Sequence, residues 1–268
     1  MITSNFHTHS VFCDGVDSPE DMVKEAVKKG FTHLGFSSHS FFPKDADWTL
    51  KPETEQRYKE TIHALKWKYE KEIHLFCGIE QDYYSPPASG YEYIIGSVHY
   101  VFKDGEYLPV DLSCEALAKS IRTYYGGDFD AFAEAYFRTA ADVVRKTNAD
   151  IIGHFDLVQK YSEQNGFGQS NRFLDAAEKA VDALIPYGKP FEINTGAMAK
   201  KLRTVPYPSP EILKMIRAKG GKIVFSSDCH DKHCLDFGFE TARRMAQDCG
   251  FTEHGILTEE GMQYISIP

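Results

Sequence analysis

The sequence predicts an α/β barrel, in which parallel strands alternate with helices and close, or nearly close, around one site at their C-terminal ends. Three observations predict it. Seven short apolar runs alternate with helical stretches, and no tight hairpin interrupts the main path, which favours parallel strands. Six of the seven runs end in His, Asp or Glu. An open doubly wound sheet gathers a site from two or three strand ends at its switch point, so candidates at six ends favour the barrel. Finally, 268 residues without a Pro/Gly/Ser-rich linker or a shift in composition read as one domain over 1–268.

The first run, Ile2-Thr3-Ser4-Asn5-Phe6, leads into His7-Thr8-His9, with Asp14 a few residues on. Alternate side chains of an extended segment share a face, so His7 and His9 project together and can bind one ion through two imidazoles. Asp17-Ser18-Pro19-Glu20 is a helix start, with a capping residue, a proline in the first turn and acids near the positive end of the dipole. That helix carries Met22, Val23, Ala26 and Val27 at helical spacing and stops near Lys29-Gly30. The second strand, His33 to Ser38, ends at His39; Phe41, Phe42, Pro43 and Trp48 form an aromatic loop, and a polar helix follows from Pro52 to Lys71.

The third strand, Ile73 to Ile79, ends in Glu80, and the fourth, Tyr93 to Val98, in His99. Between them Asp82 to Gly90, with Pro86-Pro87, reads as loop. Residues 101–113 read as a loop or small hairpin, before helices over Cys114–Tyr125 and Asp128–Thr147. The fifth strand, Asp150 to Gly153, ends in His154; a helix from Asn171 to Tyr187 leads to the sixth, Pro190 to Asn194, whose alternation puts Glu192 and Asn194 together. After a helix over Ser209–Lys219, the seventh, Lys222 to Ser227, ends at Asp228-Cys229-His230. A helix over Phe239–Asp248 and a short strand from Met262 to Ile267 complete the chain.

The groups collected are His7, His9, Asp14, His39, Glu80, His99, His154, Asp228 and His230. Nine ligands exceed one tetrahedral ion. They suit two or three divalent ions with carboxylate bridges, in the mixed nitrogen and oxygen environment that Zn²⁺, Mn²⁺ or Fe²⁺ accept. Other histidines fall elsewhere: His33 and His74 open strands, His63 lies in a polar helix, His254 has no supporting context, and His233 is three residues past His230. Cys13 and Cys229 adjoin Asp14 and His230, but neighbours on an extended segment point opposite ways, so both read as packing residues.

A formal charge of −9 with no basic cluster disfavours nucleic acid and anionic membranes as partners. An anionic substrate would need its positive charge supplied locally, by metal ions or a few placed Lys and Arg. The six cysteines form no CxxC pair, no apolar run approaches ~18 residues and no charged-then-apolar leader is present, so reduced thiols in the cytoplasm are expected.

Together these residues resemble the PHP family, named for polymerase and histidinol phosphatase, across essentially the whole chain. The matching stretches are Phe6-His7-Thr8-His9-Ser10, Gly35-Phe36-Ser37-Ser38-His39, Gly78-Ile79-Glu80, Gly96-Ser97-Val98-His99, Gly153-His154-Phe155-Asp156 and Ser226-Ser227-Asp228-Cys229-His230. The resemblance implies a distorted seven-stranded (β/α) barrel with a trinuclear site. Carried over, it implies one ion on His7, His9, Glu80 and Asp228, a second on the bridging Glu80 with His99 and His154, and a third on Asp14, His39 and His230; some family members have His in place of Asp14. Glu80, Asp228 and His230 are the candidate catalytic residues.

Gly96 to Tyr100, Gly153 to Leu157 and Glu192 to Thr195 are most similar to the histidinol-phosphate phosphatases of that family. The resemblance implies hydrolysis of a small phosphomonoester, L-histidinol phosphate in histidine biosynthesis. The Gly-Leu-Arg-Lys run common after Asn-Thr in that group is here Gly196-Ala197-Met198-Ala199-Lys200-Lys201-Leu202-Arg203. The candidates for gripping phosphate are therefore Lys160, Lys200, Lys201 and Arg203, with Asn194 as a further substrate contact. Two rival expectations are a PHP phosphoesterase acting on nucleotides and a non-catalytic module that keeps its ligands for stability.

Overall fold

The computed structural model describes residues 1–268. In chain order the strands are β1 (Ser4–Asn5), β2 (His33–His39), β3 (His74–Asp82), β4 (Tyr93–Ser97), β5 (Tyr100–Lys103), β6 (Glu106–Pro109), β7 (Ile151–Ile152), β8 (Phe191–Asn194), β9 (Ile223–Ser226), β10 (Glu253–Thr258) and β11 (Gly261–Ser266). The helices are α1 (Pro19–Lys28), α2 (Pro52–Lys68), α3 (Cys114–Tyr125), α4 (Phe129–Ala140), α5 (Val143–Thr147), α6 (Ser162–Asn165), α7 (Asn171–Leu184), α8 (Gly196–Ala199), α9 (Pro210–Ala218) and α10 (Phe239–Asp248). None is long and apolar enough to cross a membrane.

The expected seven strands form one parallel sheet in the order β1-β2-β3-β4-β7-β8-β9. Its edges meet without a continuous ladder. The join is a single parallel bridge between Thr8 and Cys229, where the His9 amide donates to the Cys229 carbonyl at 2.9 Å. The fold is thus a nearly closed (β/α)7 barrel, with every strand's C-terminal end on the same face.

Capping fixes the helices. Ser18, Ser113, Asp128 and Ser170 each accept a hydrogen bond from a first-turn amide, satisfying donors that the helix itself cannot. The single helix expected over 128–147 breaks at Ala141-Asp142. Asp142, a weak helix former, turns its carboxylate to Tyr83 Oη and Arg145, and the chain restarts as α5. Two short helices, α6 and α8, lie in stretches to which the sequence reading assigns no element.

The barrel interior beneath the site is a cluster of Phe6, Phe76, Tyr93, Ile95, Ile151 and Val224, joined by Leu257 from β10. The tail therefore carries two strands, not the one expected: β10 and β11 make an antiparallel hairpin that supplies this plug. His254 on β10 is buried against Phe225, with ring centroids 5.2 Å apart.

Tyr93 ties the cluster together. Its hydroxyl lies 2.6 Å from the Phe6 carbonyl oxygen and 3.1 Å from that of Phe36, so a β4 side chain reaches the backbone of β2 and the segment after β1. Two strand glycines make this path. A Cβ at Gly78 would sit 2.3 Å from the Tyr93 ring, and one at Gly35 would sit 2.3 Å from its hydroxyl. Gly78→Ala is expected to destabilise the protein by roughly 3 kcal/mol or more, because neither ring nor backbone can yield. At this chain length that lowers Tm by on the order of 10 °C. Thermal melts check it against Gly168→Ala, where the added methyl meets open space.

Candidate metal centre

The nine side chains expected at the site are placed there by the C-terminal ends of the strands and, for Asp14, by the turn that follows the first. Thr8 is pinned by an amide bond to Ser37 Oγ and a hydroxyl bond to the Gly35 carbonyl, so its neighbours His7 and His9 turn inward together. His39 and Glu80 are direct partners in the β2–β3 register. His99 follows β4, His154 follows β7, and Asp228 and His230 follow β9. Asp228 takes a left-handed backbone, φ +48°, which is costly for a residue with a side chain and recurs where function demands a direction.

Glu80 is the centre of the group. Its Oε2 lies 3.2 Å from His7 Nε2, 3.6 Å from His9 Nε2 and 2.7 Å from His39 Nδ1. Its Oε1 faces His154 Nε2 at 2.9 Å and His99 Nε2 at 3.3 Å. Asp228 Oδ1 lies 3.2 Å from His9 Nε2 and 3.6 Å from His7 Nε2. Asp14 completes the outer edge, 3.0 Å from His230 Nε2 and 3.5 Å from His39 Nε2. The structure brings all nine together.

Their donor atoms fit metal ions better than they fit one another. His7 Nε2, His9 Nε2, Asp14 Oδ1 and Glu80 Oε2 are buried without a hydrogen bond, although each faces partners of opposite character. Native proteins rarely leave so many buried polar atoms unsatisfied, and ligands aimed at a shared cation do so by necessity. Three overlapping groups have ligand spacing: His9-Asp14-His39-His230, His7-His9-Glu80 and His39-Glu80-His99.

Electrostatics divides the imidazoles. Burial together with the neighbouring His230 and His39 pushes His9 down to about 3, so its ring stays neutral, with one nitrogen free to act as a ligand. Burial also opposes charge on His39, but the Glu80 and Asp14 carboxylates outweigh it and hold this group well above its usual range. Glu80 and Asp228 are held well below theirs: burial raises both, and the surrounding imidazoles overcome it.

Residues behind the ligands set their direction, and the sequence reading missed three of them. Glu192 is wholly buried; its Oε1 lies 2.6 Å from His7 Nδ1, and its Oε2 accepts from the His154 amide at 2.9 Å. Asp82 Oδ2 lies 3.1 Å from His99 Nδ1 and accepts from the His99 amide, which requires β3 to run two residues past Glu80 into a stretch read as loop. Cys13 Sγ lies 3.4 Å from His9 Nδ1, so it is not a packing residue alone. Glu192→Gln is expected to lower both metal affinity and turnover by about 10- to 100-fold, the usual effect of losing a carboxylate that orients a ligand imidazole. Metal titration of the stripped variant checks it.

Two expected substrate contacts sit differently. Asn194 is fully buried, with both amide hydrogens used, to Glu192 at 2.9 Å and Asp228 at 3.3 Å, and Oδ1 accepts the Gly196 amide. It aligns ligands and presents no free donor to a pocket. Arg203 is also buried, its guanidinium carbon 4.6 Å from the Tyr207 ring centroid. Lys160 lines the pocket above the ligands, with Nζ held by the Asp111 carbonyl at 3.1 Å and carboxylate at 3.2 Å. Lys200 lines the same pocket, as do Phe42, Tyr100 and Tyr107. His33 and His74 stack on each other at 4.9 Å at the opposite ends of their strands, where the sequence reading put them.

The sequence profile of the PHP domain matches residues 5–196. Among curated relatives, a probable histidinol-phosphatase of Schizosaccharomyces pombe is 26% identical over 94% of this chain and 87% of its own. The histidinol-phosphatase of Bacillus subtilis is 24% identical over 87% of this chain and 96% of its own. Among solved structures, the histidinol phosphate phosphatase of Lactococcus lactis, complexed with zinc, L-histidinol and phosphate, aligns over 97% of this chain and 98% of its own with a TM-score of 0.72 at 20% identity. At that identity the likeness speaks for the fold, and the barrel is the same. The profile match spans most of the chain and contains seven of the nine site residues, up to and including His154, and on this ground the protein belongs to the PHP domain family.

Proposed function

We propose that this protein is a metal-dependent phosphomonoesterase that hydrolyses L-histidinol phosphate to L-histidinol and phosphate in histidine biosynthesis. The observation that carries the reading is the convergence of nine nitrogen and oxygen ligands around Glu80 at the floor of an open pocket. The similarity over nearly full length to histidinol-phosphatases supports the substrate.

His7, His9, Glu80 and Asp228 would hold one ion, Glu80, His99 and His154 a second, and Asp14, His39 and His230 a third, with Zn²⁺, Mn²⁺ or Fe²⁺ suited to that donor set. When bound, divalent ions supply activation of water near neutral pH and neutralisation of phosphate charge. The chain's own part is positioning. Glu192, Asp82 and Asn194 fix the ligands' orientation. Lys160, tethered through two bonds to Asp111, keeps a further N–H to offer to a phosphoryl oxygen. Phe42, Tyr100 and Tyr107 pack on one another at 5.2 to 6.2 Å and give the pocket a flat apolar wall for an imidazole ring. Six cysteines without a disulfide fit the reducing cytoplasm where such biosynthesis takes place.

The test is phosphate release by protein stripped and reloaded with Zn²⁺, Mn²⁺ or Fe²⁺, comparing histidinol phosphate with sugar phosphates and nucleotides. A strong preference for histidinol phosphate is expected. Faster turnover of mononucleotides would assign the site to another phosphoester, and no turnover with ions shown to be bound would leave a non-catalytic metal protein.

A further inference from the structure

Tyr207 takes no part in holding the ligands, yet it lines the pocket above them. Its backbone is fixed on both sides to Asn194, with amide–carbonyl bonds of 2.8 and 2.9 Å, and its ring centroid lies 6.4 Å from that of His154. The residue is 1% exposed, and its hydroxyl is buried without a hydrogen-bond partner. Leaving such a hydroxyl buried and unpaired destabilises the fold, and phenylalanine would fill the same volume without that cost. A hydroxyl kept there points to a partner that arrives with a ligand.

The surroundings say which kind of ligand. The Arg203 guanidinium stacks 4.6 Å from the Tyr207 ring centroid, and its Nε and Nη1 are likewise buried and without partners. A cation on the face of the ring withdraws electron density from the phenol and strengthens its O–H as a donor. Burial keeps the phenol well above its ordinary range despite that cation, so Oη remains a proton donor. The ammonium of Lys160 lines the same pocket. Positive charge of this kind suits atoms that already carry formal negative charge in the ground state, which are the phosphoryl oxygens and not the ester oxygen.

We propose that Tyr207 is a phosphate-binding residue, its Oη donating a hydrogen bond to a phosphoryl oxygen while Arg203 behind it supplies the compensating charge. The assignment rests on the phosphomonoesterase reading only for the identity of the anion. Its test is Tyr207→Phe in the metal-loaded protein, with inorganic phosphate titrated by calorimetry. The dissociation constant is expected to rise on the order of tenfold, the worth of one hydrogen bond to a charged acceptor. The loss in kcat/KM is expected to be the same for histidinol phosphate and for p-nitrophenyl phosphate, since the contact is to the group that both share. Unchanged phosphate affinity would overturn the proposal. So would a loss confined to histidinol phosphate, which would move Oη to the leaving oxygen. The variant is expected to melt at or above the wild-type temperature, because it removes an unpartnered hydroxyl; a fall of several degrees would place a partner for Oη inside the fold and count against the proposal. Phosphate binding is read without turnover, so a protein that binds phosphate through Tyr207 but hydrolyses no phosphomonoester would refute the enzymatic reading and leave this one standing.

Discussion

Glu80→Gln is expected to reduce kcat/KM by on the order of 10³ or more, the rate equivalent of the several kcal/mol that bound cations contribute to transition-state charge stabilisation. Both Glu80 oxygens are committed: Oε2 faces His7, His9 and His39, and Oε1 faces His99 and His154. Glutamine keeps the shape but turns one acceptor into a donor, aimed at imidazole nitrogens, and removes the one carboxylate that faces all five rings. The residue is 1% exposed and its replacement is isosteric, so packing is preserved and the loss is electrostatic. Turnover and bound metal, measured on the same folded preparation, check it. Wild-type turnover in a variant that no longer retains metal would contradict the role given to this carboxylate.

Stripping the ions is expected to have the largest effect on stability. Ions that bind the folded state alone stabilise it by mass action, about 4 kcal/mol when free metal stands a thousandfold above the dissociation constant. For a chain of this length that corresponds to on the order of 10 °C in Tm. The direction follows from the unsatisfied atoms: without cations His7 Nε2, His9 Nε2, Asp14 Oδ1 and Glu80 Oε2 remain buried and unpaired. Melting curves before and after chelation test it, followed by readdition of Zn²⁺, Mn²⁺ or Mg²⁺. Full recovery with Mg²⁺ alone would speak against imidazole ligands, which that ion accepts poorly. No change on chelation would mean that the histidine–carboxylate pairs hold the site by themselves.

The site was legible in the sequence wherever a ligand terminates an apolar run. His39, Glu80, His99, His154 and Asp228 carry that signature, and the period of two in strands puts His7 and His9 on one face. What stands behind the ligands was not legible. Glu192 and Asn194 could be placed on a shared face of β8, but that one would orient His7 and the other would spend its amide on Asp228 is decided by where β1 and β9 lie in space. Asp82 was hidden because Pro86-Pro87 drew the whole segment into a loop, whereas parallel pairing with β4 carries β3 on to residue 82. The alternation that makes Cys13 a packing residue holds for extended chain, but Cys13 sits in a turn closed by hydrogen bonds from the Cys13 and Gly15 amides to the Ser10 carbonyl. The C-terminal hairpin was half seen. Its first strand, with an exposed Glu253 followed by buried His254 and Gly255, has no clean alternation, and burial against β9 fixes it instead.

The seam between Thr8 and Cys229 has a mechanical consequence. A ring of strands yields where it is least joined, and here one bridge closes the ring, a junction as short as that of β7 with β8 and shorter than the other five. His7 and His9 lie on one side of that joint, Asp228 and His230 on the other. Ions shared between the two sides would act as rivets across this junction, so that opening of the seam and exchange of metal with solvent would be coupled.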